Sequence, residues 1–307
     1  MDVLTDLLQR ASASGAAFSR TTAYGDWGLL FPGGGVLAVH AVVEGSASLW
    51  LDDKLKPLTL LGGDIALIRE DTPHHLANVP GAACIPITEL LTPGTGVSRQ
   101  VTLGEAEQEL SAAFFCGAYR FEGDLCASLL EALPPTLLLR PAPGSTLRAT
   151  LDLLAREMLR DDPGQQALLD RLLDVALVQI LREHLSTCAN APGWFRGAAD
   201  PRIEAALSAL HADPAHQWTV AELAEHALMS RSAFARHFTE IVGIAPLTYL
   251  SDWRMALARE RLREDGAGLA AVGRSLGYAS EFSFAAAFKR HHGVAPGRWR
   301  ARARATT

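Results

Sequence analysis

Arg236 carries a five-donor guanidinium on a segment whose apolar residues recur at helical spacing. Phe234 and Phe238 lie one turn apart and mark the buried side of that segment. The opposite side then presents Ser230, Arg231, Ser232, Ala235, Arg236 and Thr239. A guanidinium held out on a helix can grip O6 and N7 of guanine together, which is the chemistry of reading a base edge. Fifty residues on, Phe284 and Phe288 repeat the anchors. Ser280, Glu281, Phe282, Ala285, Lys289 and Arg290 repeat the outward side. Lys289 and Arg290 suit phosphate oxygens better than bases. Double-stranded DNA is therefore the leading candidate partner.

A second set of reactive types lies in the first half: His40, His74, His75 and Cys116. His40 and His74 alone are a poor metal set, and Cys116 or His75 would complete three ligands if the fold joined them. The plainer alternative makes His40 a hydrogen-bonded strand residue and puts His74 and His75 in a loop. Trp27, Phe31, His40, Trp50 and His74 are candidates to line a pocket for a small-molecule effector, and each could equally be ordinary core. No nucleophile–base pair and no complete metal set is visible, so neither an enzyme nor a cofactor is predicted. Cys84, Cys116, Cys126 and Cys188 are too far apart for a C-x-x-C zinc site.

The elements behind the first set read as two helix-turn-helix units. Val220, Leu223 and Ala224 mark a first helix, Leu228 and Met229 a tight turn, and Ser230 an N-cap. In the second copy Gly277 supplies the turn and Ser280 the cap. Leu228 replaces that glycine in the first copy, which predicts a strained or altered turn. Gly243 and Pro246 recur as Gly293 and Pro296. Leu247 to Glu264 reads as one helix, about 27 Å long at 1.5 Å per residue. Recognition helices held that far apart suit successive major-groove windows on one duplex face. A solenoid needs more copies than two.

The first half has a different texture. Short apolar runs broken by Gly, Pro and Asp predict strands at Trp27–Phe31, Val36–Val43, Ala47–Leu51, Leu58–Leu61 and Ile65–Ile68. A further strand pair is expected around Val97–Leu103 and Ala112–Phe121. Short helices are expected near the start of residues 1–20 and from Asp124 to Leu133. Longer ones follow at Ser145–Leu159 and Gln165–Leu185. The apolar stripe of the last, with Leu147, Leu151 and Leu154, could pack on the barrel or join two subunits. Ala189–Pro201 reads as the linker.

Charge divides with texture. From 201 onward there are 14 Lys and Arg against 10 Asp and Glu, a net +4; positions 1–200 carry 14 against 24, a net −10. Only one end is suited to meet phosphate. Arg298, Arg300, Arg302 and Arg304 read as a basic tail, either adding non-specific affinity or merely solvated. No apolar run is long enough for a bilayer, and Met1–Arg10 lacks a signal pattern, so a cytoplasmic protein without membrane contact is expected.

The string from Gly277 to Pro296, with Ser230 to Phe238, resembles the DNA-binding domain of the AraC/XylS family of transcription regulators. The resemblance implies a base-contacting arginine at Arg236. At the matching place in the second unit, Ala286 stands where family members usually keep Arg, which puts specific reading by that helix in question. Gly25–Pro32, His40–Gly45, Gly63-Asp64 and Cys116–Phe121 resemble the cupin-like N-terminal domain of one subgroup of that family. Cupin enzymes hold a metal through His-x-His and Glu; here Ala38 falls about where the Glu would be. The implied fold is α+β: a cupin-like sensor over 1–140, a helical linker and dimerisation region over 141–195, and a DNA-binding domain over 196–307. The implied function is sequence-specific DNA binding that responds to a small-molecule effector, in a homodimer, with RNA polymerase a further candidate partner. The alternative is a cupin-type metal-dependent enzyme with a helical appendage.

Overall fold

The computed structural model describes residues 17–33, 37–51, 56–69, 72–90, 99–119, 133–160, 162–188, 191–263 and 268–305. The helices expected near the start of the chain and from Asp124 lie outside these residues, as does Cys126. The described residues fall into two compact units, meeting in sequence at 188/189. Helices of 146–187 belong to the same unit as the sheet. The expected region 141–195 is therefore not a unit of its own.

Among the described residues, the first unit contains ten strands: β1 (Ala17–Tyr24), β2 (Gly28–Phe31), β3 (Leu37–Leu51), β4 (Leu58–Leu61), β5 (Ile65–Ile68), β6 (His74–Ala77), β7 (Ile85–Pro86), β8 (Arg99–Leu103), β9 (Leu110–Tyr119) and β10 (Thr136–Leu139). Its helices are α1 (Ile87–Leu90), α2 (Thr146–Glu157) and α3 (Gln165–Thr187). The strand order is β7-β2-β6-β3-β9-β1-β8, with β4 and β5 on β3 and β10 on β5.

Strand β3 replaces two expected strands. Its first part pairs with β5 and β9, and its last part with β4 and β6. The register slips between Val42 and Glu44, and Gly45 has φ 75°. A Cβ on Gly45 would strike the Ser111 carbonyl. This bulge lets one strand cross from one sheet to the other. The expected pairing of β8 with β9 is also corrected: β1 lies between them, parallel to β8 and antiparallel to β9.

The period of two sorts the side chains of β3 and β9. Ala38, Val42, Phe114 and Cys116 enter the apolar interior with Leu49, Leu60 and Leu76. Val39, Ala41, Phe115 and Tyr119 face the other way and meet Leu151 and Leu154 of α2 and Leu173, Ala176 and Ile180 of α3. Leu147, Leu151, Leu154, Leu169, Leu177 and Leu181 are all buried. Most of the α3 stripe is thus spent inside its own unit. Leu168 and Val175 on α3 and Leu153 on α2 stay 43–44% exposed.

Among the described residues, the second unit contains helices and no strand: α4 (Gly193–Ala199), α5 (Pro201–Ala212), α6 (Val220–His226), α7 (Arg231–Val242), α8 (Pro246–Arg263), α9 (Leu269–Ser275), α10 (Glu281–His292) and α11 (Pro296–Ala305). Asp200 caps α5 by accepting from the N–H groups of Arg202 and Ile203, and Pro201 opens it. Thr219 and Glu222 form a capping box on α6. The expected basic tail is helix α11. Trp299 on that helix packs on the core, and Arg259 and Arg263 lie over its ring at 5.7 and 5.2 Å. No described helix is long and apolar enough to cross a membrane.

Candidate functional site

Helices α7 and α10 each bury one side completely. Phe234 and Phe238 on α7, and Phe284 and Phe288 on α10, have no exposed surface. Ser230 caps α7 by accepting from the Ala233 N–H, and Gly243 ends it in the left-handed region. Ser280 caps α10 through a reciprocal pair of bonds with Ser283, and Gly293 ends it likewise. Anchors and caps at matching places give the two helices the same posture within their modules.

Their other sides are open. Ser230, Arg231, Ser232, Arg236 and Thr239 are exposed, with Ala235 half-buried. Arg236 meets Glu240 only loosely, at 3.9 Å and with both side chains mostly in solvent. Such a pair contributes little and releases the guanidinium cheaply. On α10, Ser280, Glu281, Phe282, Ala286, Lys289 and Arg290 are exposed and Ala285 is half-buried. Lys289 and Arg290 sit in the last turn, where they also complement the helix dipole.

Arg254, on α8, holds the two modules in register and has no signal in the sequence. Its guanidinium donates to the carbonyls of Pro214 and His216 at 2.6 and 2.7 Å and lies over Tyr278 at 5.9 Å. Gln217 adds a bond from its amide to the Gly277 carbonyl, 2.6 Å. The loop before α6 is thereby tied to the turn before α10. Helix α8 spans 18 residues between the modules, about 27 Å.

The sheet unit brings His40, His74 and Cys116 together in its interior. His40 Nδ1 lies 3.0 Å from Cys116 Sγ, and His40 Nε2 lies 2.8 Å from His74 Nε2. His74 Nδ1 is 2.9 Å from the Thr72 carbonyl. That last contact fixes the tautomers, because a carbonyl only accepts. His74 Nδ1–H donates to Thr72, so His74 Nε2 accepts from His40 Nε2–H. His40 Nδ1 in turn accepts from the Cys116 thiol. Every member of the chain is neutral and satisfied. Burial, then the neighbouring His74, holds the pKa of His40 well below the usual imidazole range. Burial lowers His74 to about 4, against the pull of its Thr72 bond, and pushes the Cys116 thiol well up.

This arrangement bears on the metal candidates. The two nitrogens of one imidazole point in nearly opposite directions, so Cys116 and His74 lie on opposite edges of the His40 ring. One ion cannot meet all three while the chain stands. Among the described residues no group of three or more His, Cys, Asp or Glu is placed to hold a metal.

Of the pocket candidates, Phe31 stacks on His74 at 4.8 Å and meets His40 edge-on at 4.5 Å. Trp27 lies in the same core cluster, stacks on Phe114 at 4.8 Å and donates its indole N–H to Ser111. Trp50 does not join them. It alternates with Leu49 and Leu51, so it turns to the opposite face, where it stacks on His75 at 4.9 Å. The expectation that Trp50 lines an interior pocket is corrected by that alternation. His74 and His75 lie on β6, not in a loop.

Comparison with known proteins adds the following. A cupin model matches residues 2–186, and a helix-turn-helix domain model matches residues 223–302. The chain is 34% identical over 308 residues to a putative AraC-like transcription regulator of Streptomyces antibioticus, covering 98% of both. It is 28% identical over 305 residues to the HTH-type transcriptional regulator AlkR of Acinetobacter baylyi, covering 98% of this chain and 99% of that one. Among solved structures, the DNA-binding domain of AdpA in complex with a target DNA is 33% identical, with a TM-score of 0.33, and covers 35% of this chain and 96% of that chain.

Proposed function

The chain belongs to the AraC family of transcription regulators, and on that premise we propose that it reads promoter DNA through α7 and α10 under the control of a small molecule bound by its cupin unit. The observation that carries the reading is the contrast on the two recognition helices. Four phenylalanines are wholly buried, while every polar candidate opposite them is open or half-open. Arg236 is the base reader of α7, gripping guanine, and Lys289 and Arg290 meet phosphates. The protein works in the cytoplasm, as a homodimer joined through the apolar surface left open on α2 and α3. RNA polymerase is the partner through which binding changes transcription. The chain is a regulator rather than an enzyme, in keeping with its relatives.

The test begins with duplexes selected from a random pool by the full chain at stated salt. Arg236→Ala costs about 1–3 kcal/mol at one operator position and little elsewhere. An equal loss on all sequences removes the base-reading role. A metabolite panel then tests the sensor: operator affinity that no compound shifts counts against effector control.

A further inference from the structure

The two recognition helices carry different surfaces at matching positions. On α7 the outward stripe at i, i+3, i+4 and i+7 is Ser232, Ala235, Arg236 and Thr239; on α10 it is Phe282, Ala285, Ala286 and Lys289. The first stripe is polar around a guanidinium. The second is apolar until its last member. Phe282 is 84% exposed, on a helix whose buried side is already filled by Phe284, Ala287 and Phe288. It stands two positions before Phe284, on the far side of the helix, so it is no part of that core.

We propose that α10 reads thymine. The only apolar group that bases present in the major groove is the 5-methyl of thymine, and Phe and Ala side chains are among those that pack on it. Phe282 supplies the ring, and the small Ala285 and Ala286 let the helix approach closely. Lys289 and Arg290, two turns on, hold the backbone while the first turn meets the bases. Ala286 in the place of Arg236 is then an exchange of one base code for another: guanine under α7, thymine under α10. The surface is suited to DNA rather than to another protein because the two cations at Lys289 and Arg290, complementary to phosphate, outnumber the one carboxylate, Glu281, beside Phe282. This inference rests on the reading of α7 and α10 as recognition helices.

The experiment uses the full chain and a duplex selected from a random pool. Each thymine in the half facing α10 is replaced singly by deoxyuridine, which removes the methyl and keeps the pairing edge. Affinity is expected to fall about fourfold at one or two positions, the factor that burying one methyl supports. Phe282→Ser should lose that dependence while keeping its guanine dependence in the α7 half and an unchanged circular dichroism spectrum. Uridine tolerated at every position overturns the proposal and leaves the DNA reading standing. Selection of no preferred duplex overturns the DNA reading itself. A variant that keeps the methyl dependence but changes the mass in solution assigns Phe282 to a contact between copies, and also overturns the proposal.

Discussion

His40, His74 and Cys116 carry the residue-scale argument, because their hydrogen-bond chain works only while all three are neutral. An unfolded histidine takes up its proton near about pH 6.5. His74 in the fold does so only near pH 4, and His40 is depressed as well. Between those values the unfolded chain binds more protons than the folded one, so stability falls as pH drops through the window. For His74 alone the loss is on the order of 3 kcal/mol. Cys116 acts in the other direction. Its thiol is raised, so at alkaline pH the unfolded chain gives up that proton first and stability falls as pH climbs. Urea midpoints of the sheet unit should peak near neutrality and decline on both sides. Cys116→Ala should make the alkaline limb shallower, the Cys84 thiol and the buried Tyr119 phenol being raised as well, and leave the acid limb. A profile level from pH 6.5 to 4 would rule out the neutral chain. The sequence named these three residues as a group, but neither the central place of His40 nor the Thr72 carbonyl that fixes the tautomers could be read from it. Both depend on which strands pair.

At the scale of elements, the turns inside the two modules offer a matched pair. Met229 N–H bonds to the Ala224 carbonyl at 2.9 Å, and Tyr278 N–H bonds to that of Gly273 at the same distance. Each closes its helix with one left-handed residue: Leu228 with φ 53° and Gly277 with φ 81°. Leu228 is the one non-glycine with positive φ among the described residues, and its side chain is 93% exposed. The left-handed conformation costs a leucine about 1–2 kcal/mol. Leu228→Gly should therefore leave thermal stability unchanged or raise it by up to about 1 kcal/mol, part of the relief being offset by the freer unfolded chain. Gly277→Ala should lower it by about 2 kcal/mol or more, because the new Cβ meets the Ala215 carbonyl as well as the φ penalty. Equal effects from the two changes would refute this account of the turns. That Leu228 replaces a turn glycine was legible, since caps, anchors and turn residues are local signals. The sheet was less so. Strand β1 was missed because its buried side is Ser19, Thr21 and Ala23, too polar and small for hydrophobic alternation to register. Strand β10 was missed because Pro134 and Pro135 read as the end of a helix rather than the approach to four extended residues. The β1 strand between β8 and β9 is a pairing over some eighty to a hundred residues, which no local pattern encodes.

Among the described residues, one apolar cluster gathers around Leu49, Leu76 and Phe114 and a separate one around the four phenylalanines of α7 and α10. Each lies wholly inside its own compact unit. A chain built this way should not melt as one cooperative body. Calorimetry at neutral pH is expected to show two transitions. Operator duplex should raise the helical unit's transition by mass action, since it binds the folded form alone. That rise should shrink steeply with salt, because the residues from 201 onward, net +4, displace counterions from phosphate. Acidification from pH 7 to 5 should lower the other transition, where His40 and His74 lie. Gly277→Ala should lower only the one that DNA raises. The three perturbations thus assign the transitions independently. If acid, the turn substitution and operator all moved one shared transition, the two cores would be a single thermodynamic unit, and neither histidine protonation nor the Gly277 turn could be credited to one half alone.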